Sequence, residues 1–298
     1  MSVAAIIVNY NAGEWLLRSV CSALQDEAIS KVYVVDNASN DNSLESLEDS
    51  NSFLAEKQHK LELIKNTQNL GFGKANNIAL EKVMSDPVIK FALLLNPDCE
   101  LNTEVLPTML PFFEQQPKLG MAGCVIKNSD GSVQVTCRRK FPTPWTAFLR
   151  MTQLQRLGIA KQTDFDLGNI ELSGEFTQVE AISGAFMLVR LEAINEVGVF
   201  DEAYFMHCED LDLCKRFEAA AWQVGFVPSV SVLHEKGVSS QSRRIGVLWN
   251  LHQGMLRFFD KFYRQDYSIA FRSIVKAGIY VSFVGRAAVT MVKRCFGK

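Results

Sequence analysis

Oxygen-bearing side chains stand directly after a short apolar segment in the first half of the chain. Residues 91–95 (FALLL) contain no polar side chain, and Asn96, Pro97, Asp98 and Glu100 follow at once. Amide and carboxylate oxygens suit Mg²⁺ or Mn²⁺, which complete their coordination with water and substrate phosphates. Asn96 and Asp98 therefore predict a sparse cation site beside a phosphate-bearing substrate. The alternative is a strand that merely ends in polar residues.

A second group of acids begins at Glu209, in the segment HCEDLDLCKR. Glu209 and Asp210 are adjacent and open a predicted helix, so their side chains point in different directions. One of them can be held by hydrogen bonds while the other acts as a general base. Their alternative role is structural, because acids in a first turn also stabilise a helix through its dipole.

The segment DNASNDNS at 36–43 follows a predicted strand and starts with Asp36 and Asn37. A carboxylate in this position can accept a hydrogen bond from an imide or a ribose hydroxyl. It can equally close an Asx-turn and cap the following helix, which is the preferred interpretation of the segment taken alone. Both roles require the side chain at the carboxyl end of a strand.

The segment NLGFGKANN at 69–77 contains Asn69, Gly71 and Asn76 and leads into a predicted helix. A glycine lets a backbone approach a phosphate, and a helix N-terminus favours the anion. The segment resembles a dinucleotide fingerprint only loosely, because it follows the third predicted strand and lacks the last glycine. It predicts a nucleotide contact rather than a Rossmann cofactor site.

Two later positions complete the set of candidates. Ser183 and Gly184 interrupt a predicted bent strand over 178–189, where a glycine permits close approach of a ligand or a backbone. His234 ends another predicted strand and is as suited to a structural role as to a functional one.

The elements that must position these residues alternate between strands and helices. Such alternation predicts an α/β sandwich (helix, sheet, helix) with a mainly parallel, mixed central sheet. Ligands bind at the carboxyl ends of the strands in sheets of this kind. The predicted strands are 3–8, 31–35, 61–64, 91–95, 120–126, 178–189, 224–227 and 230–233, and the predicted helices are 15–24, 42–57, 71–83, 103–116, 191–197 and one from 209.

The stretch from about 138 to 174 loses periodicity, and NSDGS at 128–132 predicts a hairpin turn before it. A long irregular stretch in a compact domain is typical of a functional loop or lid, and a surface excursion is an equal alternative.

Charge is distributed unevenly along the 298 residues. From Arg243 to Lys298 there are 11 Lys and Arg against 2 Asp and Glu, a balance of +9, and the preceding residues balance to −11. Apolar residues recur at helical spacing between these basic groups, which predicts basic amphipathic helices on an anionic membrane surface. A helix docked on the catalytic domain with a solvated basic face is the alternative. No recognition motif predicts nucleic-acid binding.

Other sequence features set bounds on location. The seven cysteines are scattered without zinc-ligand spacing, which predicts reduced thiols and a cytoplasmic chain. The N-terminus lacks the basic and apolar regions of a signal peptide. The uncharged apolar stretch at 277–285 is too short to span a bilayer, so no membrane span is predicted.

Seven of these segments occur together in the order and spacing of family 2 glycosyltransferases, and the chain most resembles bacterial rhamnosyltransferases of O-antigen assembly. The resemblance covers about residues 3–240. The segments that carry it are IIVNYN, VVDNASNDNS, NLGFGKANN, LLLNPDCEL, SGAFMLVR, GVFDEAYFMHCEDLDLCKR and VLHEKGVS.

The resemblance implies a GT-A fold in residues 1–240. A nucleotide-binding half would occupy about 1–127 and an acceptor-binding half about 128–240, and the basic helical region would follow at 241–298. It also implies site roles. Asp98 and His234 become metal ligands, with Asn96 in place of the first aspartate of the family's DxD motif. Asp210 becomes the base.

The remaining implied roles are contacts to substrate. The nucleotide-sugar contacts are Asn9, Tyr10, Asp36, Asn37, Asn69, Gly71, Asn76 and Asn96, and the acceptor contacts are Ser183 and Gly184. The implied reaction is inverting and uses Mg²⁺ or Mn²⁺. It moves a sugar, with dTDP-rhamnose the expected donor, onto a polyprenyl-linked saccharide in lipopolysaccharide synthesis.

The expected location is peripheral, on the inner face of the cytoplasmic membrane. Another nucleotide-sugar donor remains open, as does a pseudoenzyme that only binds the nucleotide sugar.

Overall fold

The computed structural model describes residues 2–48, 56–146, 174–235 and 244–296. Its centre is a nine-stranded mixed sheet in the order β3-β2-β1-β4-β10-β6-β11-β5, with β8 paired to β11. A two-stranded sheet joins β7 to β9. The strands are β1 Val3–Asn9, β2 Ile29–Asp36, β3 Leu61–Lys65, β4 Phe91–Leu95, β5 Cys99–Glu100, β6 Leu119–Lys127, β7 Arg138–Arg139, β8 Thr177–Gln178, β9 Ala181–Ile182, β10 Phe186–Arg190 and β11 Gln223–His234.

Helices cover the sheet and connect most of the strands. They are α1 Trp15–Gln25, α2 Ser43–Glu48, α3 Phe72–Ser85, α4 Val105–Gln115, α5 Leu191–Val197, α6 Glu209–Ala219, α7 Arg244–Phe262 and α8 Ile269–Phe296. Residues 49–55 of the helix predicted over 42–57 lie outside the described residues, as does most of the irregular stretch predicted at 138–174.

The first four strands form a parallel block, as the alternating pattern predicts. β1 pairs in parallel with β2 and with β4, and β2 pairs in parallel with β3. Every residue of β1 and β4 is buried, which explains why both read as unbroken apolar runs. The carboxyl ends of these strands meet at one edge, so Asn9, Asp36 and Asn96 share that edge.

The other half of the sheet is mixed. β10 runs antiparallel to β4 and β6, and β11 is parallel to β6. The sequence predicted two strands over 224–233, but β11 is a single strand whose register shifts between Val227 and Ser231. Pro228 and Ser229 lie in this bulge and interrupt the apolar pattern of the strand. From the sequence alone, the interruption was interpreted as a gap between two strands.

The last two residues of β11 pair with β5, the short strand that follows Asn96, Pro97 and Asp98. Leu233 lies opposite Glu100 and His234 lies opposite Cys99, in antiparallel pairing. The backbone N–H of Glu235 donates to the carbonyl of Asp98 at 3.0 Å. Residues 133 to 137 positions apart in the sequence are thereby fixed side by side.

Helix α7 is docked on the catalytic half by ion pairs. Lys261 Nζ lies 2.8 Å from Asp201 Oδ2 and 2.6 Å from Asp212 Oδ1, and Arg257 Nη2 lies 2.8 Å from Asp201. Burial would raise the pKa of Asp201, but hydrogen bonds from Lys261 and Arg257 lower it to about 2. Gly254 of the same helix packs against the His207 carbonyl.

Helix α8 folds back along α7 and leaves its other face open. Lys276 pairs with Asp260 at 2.7 Å, and the rings of Phe283 and Trp249 meet edge to face with centroids 5.0 Å apart. By length and composition, Ile269–Val292 is long and apolar enough to cross a membrane. The sequence-based prediction of no membrane span counted only uncharged residues, and it stays a prediction.

Two basic residues of α8 lie on the same helical face as a buried residue. Arg272 and Arg286 are seven residues either side of Ile279, which is buried, so they share the face turned towards α7. Val281 and Val284 are exposed on the opposite face. The sequence left open a docked helix with a solvated basic face. Arg286 of α8 is indeed exposed, but the exposed surface of this helix also carries a run of apolar residues.

We expect Gly71→Ala to destabilise the fold by about 3 kcal/mol, since Gly71 has a φ of +85° and a ψ of 170°, a region that is essentially confined to glycine. A Cβ there would also lie 2.4 Å from the Phe205 carbonyl oxygen. The matched control is Gly13→Ala, with a φ of +59° and no atom near the added Cβ, which should cost only about 1 kcal/mol. Urea unfolding of both variants measures the difference, and equal losses would contradict this packing.

Candidate active site

The polar residues after β4 lie against the end of β11. His234 Nε2 is 3.0 Å from Asp98 Oδ1 and 3.3 Å from Asn96 Nδ2. Asp98 and His234 are both buried, although each stands at the end of a strand. The sheet therefore brings together the two predicted metal ligands and the amide that replaces the first aspartate.

This donor set fits a hard divalent cation. One carboxylate oxygen and one imidazole nitrogen converge, and such an ion takes its remaining ligands from water and phosphate oxygens. The described residues contain no group of three or more His, Cys, Asp and Glu side chains that could hold a metal. The sequence likewise predicts a cation site that takes most of its ligands from the substrate.

Asp210 opens helix α6 and is held from three sides. Its Oδ2 accepts hydrogen bonds from the Gly184 N–H at 3.1 Å and from the Arg139 guanidinium, and its Oδ1 accepts from the Leu211 N–H at 2.8 Å. Burial would lower the pKa of Arg139, but its pairing with Asp210 raises the value above the ordinary one. The Asp210 carboxylate is therefore fixed in position by one charged and two backbone donors.

Glu209 has the opposite character. Its Oε2 is buried and has no hydrogen-bond partner among the described residues. Burial and the neighbouring charge of Asp210 raise the pKa of Glu209 to about 8. The raised pKa of Glu209 distinguishes two acids that the sequence leaves equivalent.

The Ser183–Ala185 segment connects the two ends of the site. The Asn96 N–H donates to the Ala185 carbonyl at 3.0 Å, and the next residue back, Gly184, donates to Asp210. A Cβ on Gly184 would lie 3.4 Å from the Asp210 Cβ, so the segment touches the acid directly. Sequence reasoning assigned this glycine to the acceptor, and the structure shows a backbone contact to the candidate base.

The predicted nucleotide contacts at the ends of β1 and β2 form one hydrogen-bonded network. Asn9 Nδ2 lies 2.8 Å from Asp36 Oδ1 and 2.8 Å from Ser43 Oγ, and the Ser39 N–H donates to Asp36 Oδ2. Asp36 therefore closes the turn, which is the structural alternative, at the edge where the nucleotide is expected. Tyr10 lies half-buried on the adjoining loop.

Asn37 ties this edge to the third candidate loop. Its Nδ2 donates to Asn69 Oδ1 at 2.9 Å and to the Gly71 carbonyl at 3.2 Å. The backbone that approaches Gly71 is that of Phe205, whose carbonyl accepts from the Phe72 N–H at 2.9 Å. The chain itself fills the space beside the Gly71 Cα, so packing alone requires a glycine here, and the predicted contact with a phosphate stays a prediction.

Asn76 is also placed differently from the expectation. Its Nδ2 donates to the Phe72 carbonyl one turn earlier in the same helix, at 2.9 Å, and the side chain is buried. A helical residue bonded to its own backbone is not free to reach a nucleotide in this arrangement.

Sequence reasoning missed two polar residues of the site. Arg139 was noted only as part of a basic irregular stretch, and Gln134, which contacts His234 Nδ1 at 3.1 Å, was not singled out at all. The feature that could have identified Arg139 is its position beside Arg138 at the start of the long irregular stretch. No pattern in the sequence indicates that Gln134 meets a histidine 100 positions away.

Residues 4–170, more than half of the chain, match the family model described as glycosyl transferase family 2. The chain belongs to this family. It is therefore a glycosyltransferase, as predicted from its motifs.

Two similar proteins are rhamnosyltransferases by name. The N-acetylglucosaminyl-diphospho-decaprenol L-rhamnosyltransferase of Mycobacterium tuberculosis is 27% identical over 259 residues, which is 79% of this chain and 76% of that protein. The rhamnosyltransferase WbbL of Escherichia coli is 28% identical over 213 residues, 70% of this chain and 72% of that protein. The predicted resemblance to rhamnosyltransferases is confirmed.

Solved structures with the same fold confirm the predicted architecture. GalNAc-T7, crystallised with UDP, GalNAc and Mn²⁺, has a TM-score of 0.60 at 16% identity, over 98% of this chain and 57% of that chain. The mannosyltransferase PcManGT from Pyrobaculum calidifontis, with GDP-Man and Mn²⁺, has a TM-score of 0.56 at 14% identity, over 99% and 76%.

We expect Glu209→Gln to weaken the pH dependence of stability. The carboxyl stays protonated in the folded state up to about pH 8, whereas the unfolded chain ionises near the ordinary pKa of 4.5. The wild type therefore loses stability as the pH rises through this window, and an amide does not titrate. Urea unfolding at about pH 5 and pH 8 measures the loss, with exposed Glu114→Gln as control. A loss in Glu209→Gln as large as in the wild type would show that Glu209 is not protonated.

Proposed function

We propose that the chain transfers rhamnose from dTDP-rhamnose to a polyprenyl-diphosphate-linked saccharide, with inversion at the sugar carbon, in the synthesis of a bacterial surface polysaccharide. The names of the relatives from Mycobacterium tuberculosis and Escherichia coli support the sugar, and the first of them supports the lipid-linked acceptor. The division into a nucleotide half at about 1–127 and an acceptor half at about 128–240 belongs to this proposal.

The observation that carries the proposal is the connection through Gly184 and Ala185. One short segment bonds to Asn96 on one side and to Asp210 on the other. The Asp98–His234 pair and the Asp210 carboxylate therefore lie at the same edge of the sheet. An inverting transfer needs a cation site for the leaving diphosphate and a base for the acceptor hydroxyl within one crevice.

The roles of the residues follow from their contacts. Asp98 and His234 would hold Mg²⁺ or Mn²⁺, which when bound stabilises the charge that develops on the leaving diphosphate. Asp210 accepts the proton of the acceptor hydroxyl as that oxygen attacks the sugar carbon. Arg139 and the Gly184 N–H hold the Asp210 carboxylate in position. Glu209 stays neutral and takes no proton at neutral pH.

The nucleotide would lie across the edge formed by β1, β2 and the loop before α3. Asn9, Tyr10, Asp36, Asn37 and Asn69 line or support this edge. The hydrogen bonds of Asn9 and Asn37 fix the shape of the loops, so the backbone of these loops offers the nucleotide a pre-formed surface.

The apolar face of α8 supports a peripheral location on the inner face of the cytoplasmic membrane. Val281 and Val284 belong to a run of exposed apolar residues along the helix, and a continuous apolar surface of this size marks an interaction site. The excess of basic residues in 243–298 would favour an anionic surface. A lipid-linked acceptor would be presented at the same surface.

We expect Asp210→Asn to lower the transfer rate about 10²–10⁴-fold, the usual contribution of a general base. Glu209→Gln is the matched control and should keep the rate within about tenfold, because glutamine mimics the neutral acid. The measurement is transfer of labelled sugar to a polyprenyl-diphosphate-linked N-acetylglucosamine, across dTDP-, UDP- and GDP-sugars, with Mn²⁺ or EDTA. Near wild-type transfer by Asp210→Asn would disprove its role, and a preference for another donor would disprove the assignment of dTDP-rhamnose.

We expect Val281→Glu to reduce binding to anionic vesicles at least tenfold. A valine that becomes buried in the bilayer contributes about 1.5–3 kcal/mol to the free energy of binding. Val88→Glu is the matched control, since Val88 is 69% exposed and Val281 is 71% exposed, and Val88 lies on the catalytic half. Co-sedimentation with phosphatidylglycerol vesicles measures both. Equal binding by the two variants would show that α8 does not contact the bilayer.

A further inference from the structure

The turn that leads into α6 has an unusual backbone. His207 and Cys208 both lie in the left-handed region, with φ values of +72° and +70°, and neither is a glycine. Residues with a Cβ are strained there and keep such a conformation only where the surrounding structure imposes it. Glu209 and Asp210 follow directly, so the conformation of this turn sets the direction in which α6 begins.

Helix α7 packs directly on this turn through Gly254. A Cβ built on Gly254 would lie 2.6 Å from the His207 carbonyl oxygen and 3.3 Å from both Cβ and Sγ of Cys208. Glycine is a poor helix former, and a glycine in the middle of a helix usually has a packing reason. Here the reason is that only a glycine lets the backbone of α7 come this close to the two left-handed residues.

The same face of α7 reaches the first turn of α6 through Lys261, which lies two turns after Gly254. Lys261 Nζ is 2.6 Å from Asp212 Oδ1, and Arg216 Nε is 2.7 Å from Asp212 Oδ2. Asp212 is fully buried, so its carboxylate depends on these two cations, of which one comes from α6 and the other from α7. The backbone N–H of Asp212 donates to the Cys208 carbonyl at 2.9 Å, which joins this ion pair to the strained turn.

Asp210 lies between these two contacts of α7. Arg139 and the Gly184 N–H hold its carboxylate, and both are contacts to the side chain. The backbone on either side of Asp210 is held by α7, because Gly254 contacts the turn before it and Lys261 contacts the residue two positions after it.

We propose that α7 positions the catalytic base, with Gly254 and Lys261 as the positioning residues. By holding the turn at 207–208 and the first turn of α6, they aim the Asp210 carboxylate at the acceptor hydroxyl. The catalytic unit then extends to at least Lys261, whereas the sequence predicts that it ends near residue 240. The role of Asp210 as the base rests on the proposed function, but the packing of α7 against the turn does not.

The first test compares Gly254→Ala with Gly246→Ala in the full chain. Gly246 lies in the same helix and has no atom within 4 Å of the added Cβ, so it is the matched control. The measurements are kcat and KM for transfer from dTDP-rhamnose to a polyprenyl-diphosphate-linked N-acetylglucosamine. We expect Gly254→Ala to lower kcat about 10–100-fold and to leave the KM for the donor within about twofold, because a small displacement of a catalytic group slows the reaction without removing a donor contact. Gly246→Ala should keep both values.

Lys261→Met provides a second test that needs no added Cβ. It leaves the buried Asp212 carboxylate with Arg216 alone, so the first turn of α6 should shift and kcat should fall at least about tenfold. Lys276→Met is the control, because Lys276 pairs with Asp260 at 2.7 Å and so joins α8 to α7 rather than α7 to α6.

A readout independent of activity is hydrogen exchange of the backbone at 207–213 in the full chain, followed by mass spectrometry. We expect faster exchange there in Gly254→Ala and Lys261→Met than in the two controls, because the contacts that hold the turn are weakened. Wild-type kcat and wild-type exchange in both variants would overturn the proposal, as would a raised KM for the donor with kcat unchanged. If the wild type transferred no sugar from dTDP-rhamnose, the proposed function would fail instead, and the exchange comparison would still decide whether α7 holds the turn.

Discussion

The parallel pairing of β1 with β2 and β4 is the constraint on which the site depends. All residues of β1 and β4 are buried, so the register of these strands is fixed by the core on both faces of the sheet. Because the strands are parallel, the chain leaves each of them at the same edge. Asn9, Asp36 and Asn96 are therefore neighbours of one crevice, and the pairing of β11 with β5 brings His234 to the same place.

Much of this arrangement could be predicted from the sequence because it depends on local patterns. Unbroken apolar runs that end in polar residues identified the buried parallel strands and their functional edge. The segment 209–216 revealed a helix with acids in its first turn, and the Asp212–Arg216 pair follows from helical spacing, with Arg216 Nε 2.7 Å from Asp212 Oδ2. The ordered motifs then predicted the family, which the family model confirms.

The remaining features depend on contacts between distant segments. Arg139 meets Asp210 71 positions later, and the Phe205 carbonyl occupies the space beside the Gly71 Cα. Burial distinguishes Glu209 from Asp210, and no local pattern reports burial of one acid and not of its neighbour. The same reason explains α8, where packing against α7 decides which side chains are buried and leaves Val281 and Val284 exposed.

The proposed sugar transfer requires a cation site, a base and a membrane-facing helix. The cation site is central because the leaving diphosphate would be stabilised there. The most direct test is a crystal of the full chain with Mn²⁺ and dTDP, examined by anomalous scattering at the manganese edge. The account predicts a manganese peak bound by the Asp98 carboxylate and His234 Nε2, with the diphosphate on the same ion. Manganese at another position, or a diphosphate bound without an ion at Asp98, would contradict it.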